Sequence, residues 1–584
     1  MKFFDNKRNI GLLIFILITA AVLRLWQLGA VPISLDWDEV ALGYNAYSLM
    51  LTGKDEYGTQ MPVVLRSFGD YKPALYTYLI IPFIKIFDLN EIAVRLPSAL
   101  AGIIAVLTTY FLVKELFSRW EVRGGRVDKD VGSEKKSHNS HFTVQASHVA
   151  LLSSFLLAIS PWHIQFSRVA FEANVAVTFN LLGILFFLKG LKKPLFLSLT
   201  GVFLALSIYV YQSEKLFVPL LMLILAGVYY RELLSLPKKY LVASAFAFII
   251  VVLPIASFTF LDENGLARAK GVSIFRESNA ILQKNISRIA EDHKNNDYLG
   301  LVFDNRRVTY AKAVLNGYLA HFNLNWLFIK GDIPRHQAPF MGLLYLWELP
   351  FLLIGLYVFL MTDLLAIPKK AKAFILLWFL ATPIPASVTN DVPHAVRTLN
   401  FLPTFQIFTA VGVLSTYFFI EKNKAIQKRN IFFKASLYAI VLALISLNFM
   451  YYLNQYFVQQ NYYTARYWQY GFKEMVEFIE PIHGKYNKVV VASTRDFEQS
   501  YMFFLFYLKY DPATYLAEGG TRADGLAHQG NKFSNFEFRP FTYDQENDTP
   551  LLLIGAAGHF PEVYRRIKNI NYPDGSEAMA VVEK

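Results

Sequence analysis

The stretch IGLLIFILITAAVLRLWQL (10–28), followed closely by DWDE (36–39), decides how this chain is read. The first part has about the twenty apolar residues needed to cross a bilayer core. The second sets Asp36, Asp38 and Glu39 just beyond its end. Carboxylates at the membrane–water boundary ionise cheaply and can reach a substrate carried by a lipid. Folding does not require acids there, so the cluster is a candidate site. The plainer reading is a solvated loop whose acids cap a helix.

Working outward, the same apolar pattern recurs along the chain. It has 584 residues, 54% hydrophobic and 16% aromatic, with a mean hydropathy of +0.32, values that indicate a polytopic α-helical membrane protein. The net charge of +12 is accounted for by basic loops that orient the spans, so no nucleic-acid partner is implied. Cysteine is absent, which excludes disulfide and thiolate chemistry. The start (Lys2, Lys7, Arg8, then an apolar run) resembles a signal peptide but lacks a small-residue cleavage site, so an uncleaved first span is expected.

Apolar length predicts about eleven spans, at 9–29, 92–116, 147–164, 173–189, 195–211, 216–232, 239–260, 339–361, 373–388, 398–420 and 431–453. The basic stretches lie at 119–136, 189–193, 231–239, 369–372 and 422–429, in every second connection and on the side of the N-terminus. The N-terminus is therefore read as cytoplasmic in a cytoplasmic (inner) membrane; the absence of cysteine and the simple N-terminus favour a prokaryotic source. The segment 73–87 is short and contains Pro82 and Lys85. Counting it as a crossing would put every later basic loop outside, so it is read as a juxtamembrane helix on the outer face. Residues 1–453 form the membrane domain, with a first outer loop at 30–91 and a long one at 261–338. Residues 454–584 form a small extracytoplasmic α/β domain: 488–493 and 550–555 read as buried strands, 497–510 as a packed helix and 523–547 as a surface loop.

Polar residues converge on the outer face. Besides the DWDE acids they are Lys72, Arg95, the group His163, Arg168 and Glu172, then Asp332, Arg335 and His336, and finally Asp391, His394 and Arg397. A carboxylate can act as general base toward an acceptor hydroxyl or amine, and two carboxylates from different loops can hold a divalent cation. Lys and Arg at the interface suit a phosphate. Each has a plainer reading: Lys72 can snorkel, Arg95 can anchor its span, Glu172 can cap a helix, and the histidines can be structural, since no His/Cys metal spacing is visible.

The sequence resembles the GT-C-fold, polyprenyl-phosphate-dependent glycosyltransferases, in the branch of protein O-mannosyltransferases and lipid A aminoarabinose transferases. The residues that carry the resemblance are Asp38-Glu39, the segment from Lys72-Pro73 to Tyr76, the segment from Ala93 through Arg95 to Leu100, and Ser160-Pro161 with Ser167-Arg168 and Glu172. It is clearest over about residues 8–215 and fades in the tail. The resemblance implies transfer of a sugar from a polyprenyl-phosphate donor to a protein, lipid or glycan acceptor. It points to Asp38 as base, with Glu39 beside it and Glu172 as the second acid. Lys72, Arg95, Arg168, His394 and Arg397 would meet the donor phosphate. It implies no certain cofactor; a divalent metal on Asp38 and Glu172 is left open, because Glu stands at 172 where relatives often have Asp. Residues alone do not exclude Asp36 as the base.

Two other classes share the polytopic pattern. A transporter or lipid-linked glycan flippase would place ionisable groups near the bilayer midplane, whereas here they sit at span ends. A non-catalytic assembly factor would keep its fold without binding a donor.

Overall fold

The first helix, α1 (Lys2–Leu25), opens a predominantly helical architecture with a sheet domain at the C-terminal end. The structure is a computed structural model that describes residues 2–118, 146–275, 280–362, 367–423, 431–494, 497, 499–522, 530–546, 549–560 and 563–584. The basic stretch expected at 119–136, and residues 424–429 of the one expected at 422–429, lie outside the described residues. Among the described residues, six helices are long and apolar enough to cross a membrane: Lys7–Leu25, Glu91–Phe117, Glu172–Gly190, Lys238–Leu261, Leu399–Glu421 and Phe432–Trp468. The pair α5 (Ala146–Ile159) and α6 (Pro161–Arg168), bent by 56°, gives a seventh if taken as one span. The chain is a multi-pass membrane protein.

The segments expected to span at 195–211, 216–232, 339–361 and 373–388 contain shorter helices of 12, 15, 14 and 13 residues: α8 (Leu197–Ile208), α9 (Glu214–Val228), Glu348–Met361 and Lys369–Ala381. Chain chemistry sets their ends. Pro383 and Pro385 follow Ala381, and neither can continue an internal hydrogen-bonded ladder. Gly342 packs against the backbone of Phe328, where a Cβ would lie 2.4 Å from its carbonyl carbon, so 339–347 stays irregular before Glu348.

Helix α2 (Trp37–Thr52) begins with a capping box: Asp36 accepts from the Glu39 backbone N–H (2.9 Å), and Glu39 accepts from that of Asp36 (3.2 Å). Gly53, at φ 72°, closes it in the left-handed conformation. A hairpin follows, β1 (Val64–Ser67) and β2 (Asp70–Pro73), antiparallel, with Ser67 opposite Asp70. Both turn residues have positive φ, Phe68 at 54° and Gly69 at 72°, the twist two-residue hairpins favour. Helix α3 (Leu75–Phe87), at 13 residues, is too short for the ~30 Å core. It buries Tyr76, Thr77, Ile80 and Ile84 on one face. The hairpin and α3 lead into α4 (Glu91–Ser118), and α7 (Glu172–Gly190) packs beside α4.

The tail holds a six-stranded sheet of order β4-β5-β3-β6-β8-β7. Its central strand β3 (Lys488–Val491) runs parallel to β5 (Phe536–Phe538) and β6 (Leu551–Ala556). The antiparallel partners are β4 (Asn531–Phe533), β7 (Arg566–Asn571) and β8 (Glu577–Glu583). Within the surface loop expected at 523–547, residues 531–538 form a hairpin, while 523–529 and 547 lie outside the described residues; Phe533, Phe536 and Phe538 are buried among polar neighbours that hide the strand signal. The helix Ser500–Tyr507 lays Phe506 on α2 at Gly43, where a Cβ would come within 2.5 Å of that ring. Glu56 ties the two parts together. It accepts from Asn45 Nδ2 (3.1 Å), Tyr501 OH (2.9 Å) and Thr521 Oγ1 (2.7 Å). Burial pushes its carboxyl up to about 7, and these hydrogen bonds offset only part of that.

Candidate active site

A cavity of about 610 Å³ opens between the first outer loop, the starts of α7 and α9, and the segments 259–275, 333–336 and 385–397. Its charged lining consists of Asp38, Lys72, Glu172, Lys215, Arg268, Arg335 and Arg397. Five cations face two carboxylates, which favours an anionic ligand. Every one of these residues lies in, or at the edge of, a segment that loop charge assigns to the outer side.

Asp38 and Lys72 meet here. Asp38 stands in the first turn of α2, and its side chain takes no part in the capping box; it forms an ion pair with Lys72 from β2. The Asp38 side chain is 39% exposed and that of Lys72 17%, so both are reachable from the cavity. Burial would raise the Asp38 carboxyl, but the Lys72 ammonium outweighs it and holds the carboxyl below the ordinary range. Lys72 answers in kind: burial would lower it, while Asp38 and then Glu172 hold it above its ordinary value. The hairpin that carries Lys72 is fixed by Gln212 Nε2 donating to Tyr71 O (2.6 Å) and by an Arg268–Asp70 ion pair. The cation facing Asp38 is thus Lys72, with Glu172 close enough to share its charge, and this arrangement fits an ammonium better than a metal between the two acids.

Glu39 has a different setting. Arg95 grips it bidentately, Nε to Oε1 at 2.9 Å and Nη2 to Oε2 at 3.0 Å. The Ala170 N–H also donates to Oε1 (3.0 Å). The remaining Arg95 donors serve the carbonyls of Leu28 (3.1 Å), Pro32 (2.9 Å) and Ser34 (2.6 Å). Arg168 likewise donates to the carbonyls of Leu23 (3.0 Å), Gln27 (3.2 Å) and Val31 (3.0 Å). His163 is paired with buried Arg24 (2.6 Å). Arg95, Arg168, His163 and Glu39 all lie outside the cavity lining. The phosphate contact expected of Arg95 and Arg168, and the catalytic place expected of Glu39, do not match these positions: the hydrogen bonds they make hold the turn after α1 against α4 and α6.

Asp36 is buried, caps α2 and accepts from Arg335 Nη1 (2.9 Å), while Arg335 lies over the Trp37 ring (4.3 Å). Burial pushes Asp36 up to about 6, partly offset by Arg335. His394 and Arg397 line the cavity. Arg397 donates to Thr389 Oγ1 (2.7 Å) and Asn390 O (2.6 Å), which sets its guanidinium in place. Arg268 and Lys215 were not singled out in the sequence, though loop charge puts 212–215 and 261–338 on the site's side. A further cluster, Asp332, His336 and His394, brings ligand-bearing atoms within 4.8 Å of one another.

With this geometry in place, known proteins can be compared. The family profile described as dolichyl-phosphate-mannose-protein mannosyltransferase matches residues 71–123, a stretch containing Lys72 and Arg95 but neither Asp38 nor Glu172. No curated protein matches the sequence. ArnT from Cupriavidus metallidurans bound to undecaprenyl phosphate aligns over 98% of each chain, with a TM-score of 0.53 and 11% identity. The chain has the GT-C fold. The apo form of the same ArnT aligns over 98% of each chain at TM-score 0.48 and 12% identity. AglB from Archaeoglobus fulgidus, in complex with an inhibitory peptide and a dolichol-phosphate, aligns over 86% of this chain and 64% of its own, at TM-score 0.46 and 14% identity. In this chain the polar cavity lies where the loops around 36–73, 259–275, 333–336 and 385–397 meet the helix ends.

Proposed function

We propose that this chain is a membrane glycosyltransferase that moves a sugar from a polyprenyl-phosphate donor to an acceptor on the extracytoplasmic face. The observation that carries the reading is the Asp38–Lys72 pair, set in a cavity whose other cations outnumber its acids. In this reading eleven spans cross a cytoplasmic membrane, with the N-terminus cytoplasmic and the 454–584 domain extracytoplasmic. ArnT, whose fold this chain shares, is seen bound to undecaprenyl phosphate, the class of lipid assigned here to the donor.

The chemistry follows from the side chains. The donor phosphate enters among Lys72, Arg268 and Arg397, while Leu216, Phe260, Leu266 and Val272 offer the apolar side to its isoprenoid. As the phosphate takes Lys72, Asp38 loses its counterion and becomes a stronger base. Asp38 removes the proton from the acceptor hydroxyl or amine, and the acceptor atom attacks the anomeric carbon with inversion. The bond from that carbon to the phosphate oxygen breaks, and its electron pair leaves with polyprenyl phosphate. Cations around the phosphate offset the charge that develops there, so the leaving group needs no strong acid. Glu172, beside the Asp38–Lys72 pair, orients the acceptor.

The test is turnover by purified full-length protein on a panel of polyprenyl-phosphate sugars, scoring both transfer and hydrolysis. Release of free polyprenyl phosphate from at least one donor is expected. Absence of turnover and of donor binding across the panel would overturn the reading.

A further inference from the structure

Asp332, His336 and His394 are not used by the reaction above, and they come from two separate outer segments. Asp332 and His336 flank a short turn, with His336 Nδ1 3.1 Å from Asp332 Oδ2. His394 arrives from the loop before the span at 399–421, its ring centroid 5.2 Å from that of His336. One ligand atom from each residue falls within 4.8 Å of the other two. Most telling, His394 Nδ1 is buried without a hydrogen-bond partner among the described residues. Such an atom is costly to bury if nothing engages it.

We propose that Asp332, His336 and His394 form a binding site for a zinc-class divalent cation, with a fourth coordination position open to the cavity. Two imidazoles and one carboxylate are a donor set that suits zinc, and three protein ligands leave such a position free. Both histidines line the cavity, so the free position faces it.

The surroundings hold the ligands in place. Ala395 N–H donates to Asp332 Oδ2 (2.6 Å). The His394 backbone N–H donates to His321 Nε2 (3.1 Å), and His321 Nδ1 bonds Gly317 O (2.7 Å). Supports of this kind orient metal ligands. The nearby cations are engaged elsewhere, Arg335 on Asp36 and Arg397 on Thr389 and Asn390. A bound cation would pin the turn at 331–337 to the loop at 389–397 across one wall of the cavity.

The test needs no sugar substrate, so it can fail independently of the glycosyltransferase reading. Full-length protein in detergent is stripped with chelator, dialysed against zinc and assayed for bound metal and thermal midpoint. About one zinc per chain and a zinc-dependent rise in Tm are expected. His336→Ala and His394→Gln should lose both, while Asp38→Asn should retain both. A wild-type protein that takes up no zinc overturns the proposal. So does retention of zinc by both histidine variants, or its loss from Asp38→Asn. Should the histidine variants fail to fold, cobalt-loaded wild type decides. A four-coordinate spectrum with imidazole ligation supports the site, and an all-oxygen six-coordinate spectrum contradicts it.

Discussion

The pairs Glu39–Arg95 and Asp38–Lys72 begin one residue apart on the same turn of α2, and the fold puts them to opposite uses. Successive helix positions point about 100° apart, so Glu39 turns into the protein while Asp38 turns into the cavity. Around Glu39 every donor is committed. Arg95 holds both carboxylate oxygens and three backbone carbonyls, and its side chain is fully buried. Around Asp38 a single flexible ammonium does the work, and both partners reach open space. The first arrangement is rigid because breaking it would strand a buried charge. The second is releasable because an incoming anion can take the ammonium. Identical residue chemistry thus reads as architecture or as reactivity according to how many fixed partners surround it.

The sharpest way to break the comparison is to remove one partner from each pair. Arg95→Ala should cost about 3–5 kcal/mol, since Glu39 would remain buried and unpaired. Melting in detergent should show a strongly lowered midpoint or no folded protein. Asp38→Asn should change stability by about 1 kcal/mol or less, the scale of an accessible pair. Equal destabilisation of the two variants would erase the distinction.

Next comes the releasable cation. Lys72→Met should weaken donor phosphate binding by about 1.5–3 kcal/mol, the scale of a hydrogen bond to a charged group, which is roughly ten- to a hundredfold in KM. It should also move the acid limb of kcat/KM to higher pH. Lys72 holds Asp38 below the ordinary carboxylate range, and without it burial raises the carboxyl, so the ionised base is lost sooner as pH falls. An unmoved acid limb would separate Lys72 from Asp38.

The smallest effect belongs to Glu56, which lies between the two extremes: buried like Glu39 but held by neutral partners only. Its folded pKa of about 7 lies above the ordinary 4.5. Its contribution to stability is therefore complete below about 4.5 and lost as pH rises through about 7. Glu56→Gln should flatten that part of the melting profile, and an unchanged slope would contradict the assignment.

Much of this was legible in the chain. Apolar length and the alternation of basic loops are signals repeated over many residues, and the loops they group together hold Asp38, Lys72, Glu172, His394 and Arg397, which line one cavity. The roles of Arg95 and Arg168 were not legible. An arginine at a span end looks the same whether it meets a phosphate or a row of carbonyls, and here the carbonyls of 23–34 decide. The caution that acids after a span can simply cap a helix applies to Asp36 and Glu39 and fails for Asp38. The Asp332–His336–His394 cluster was hidden because its members lie on loops separated by two apolar segments. The 531–538 hairpin was hidden because three-residue strands among Asn, Ser and Lys carry little alternation.

The most direct test is sugar transfer per folded molecule by Asp38→Asn against wild type, with the fold of each checked by melting. A general base contributes typically about 10²- to 10⁴-fold, and a loss of turnover of that size in a well-folded Asp38→Asn protein is expected. A folded variant as active as wild type would contradict the account and return Asp36 as the base to examine.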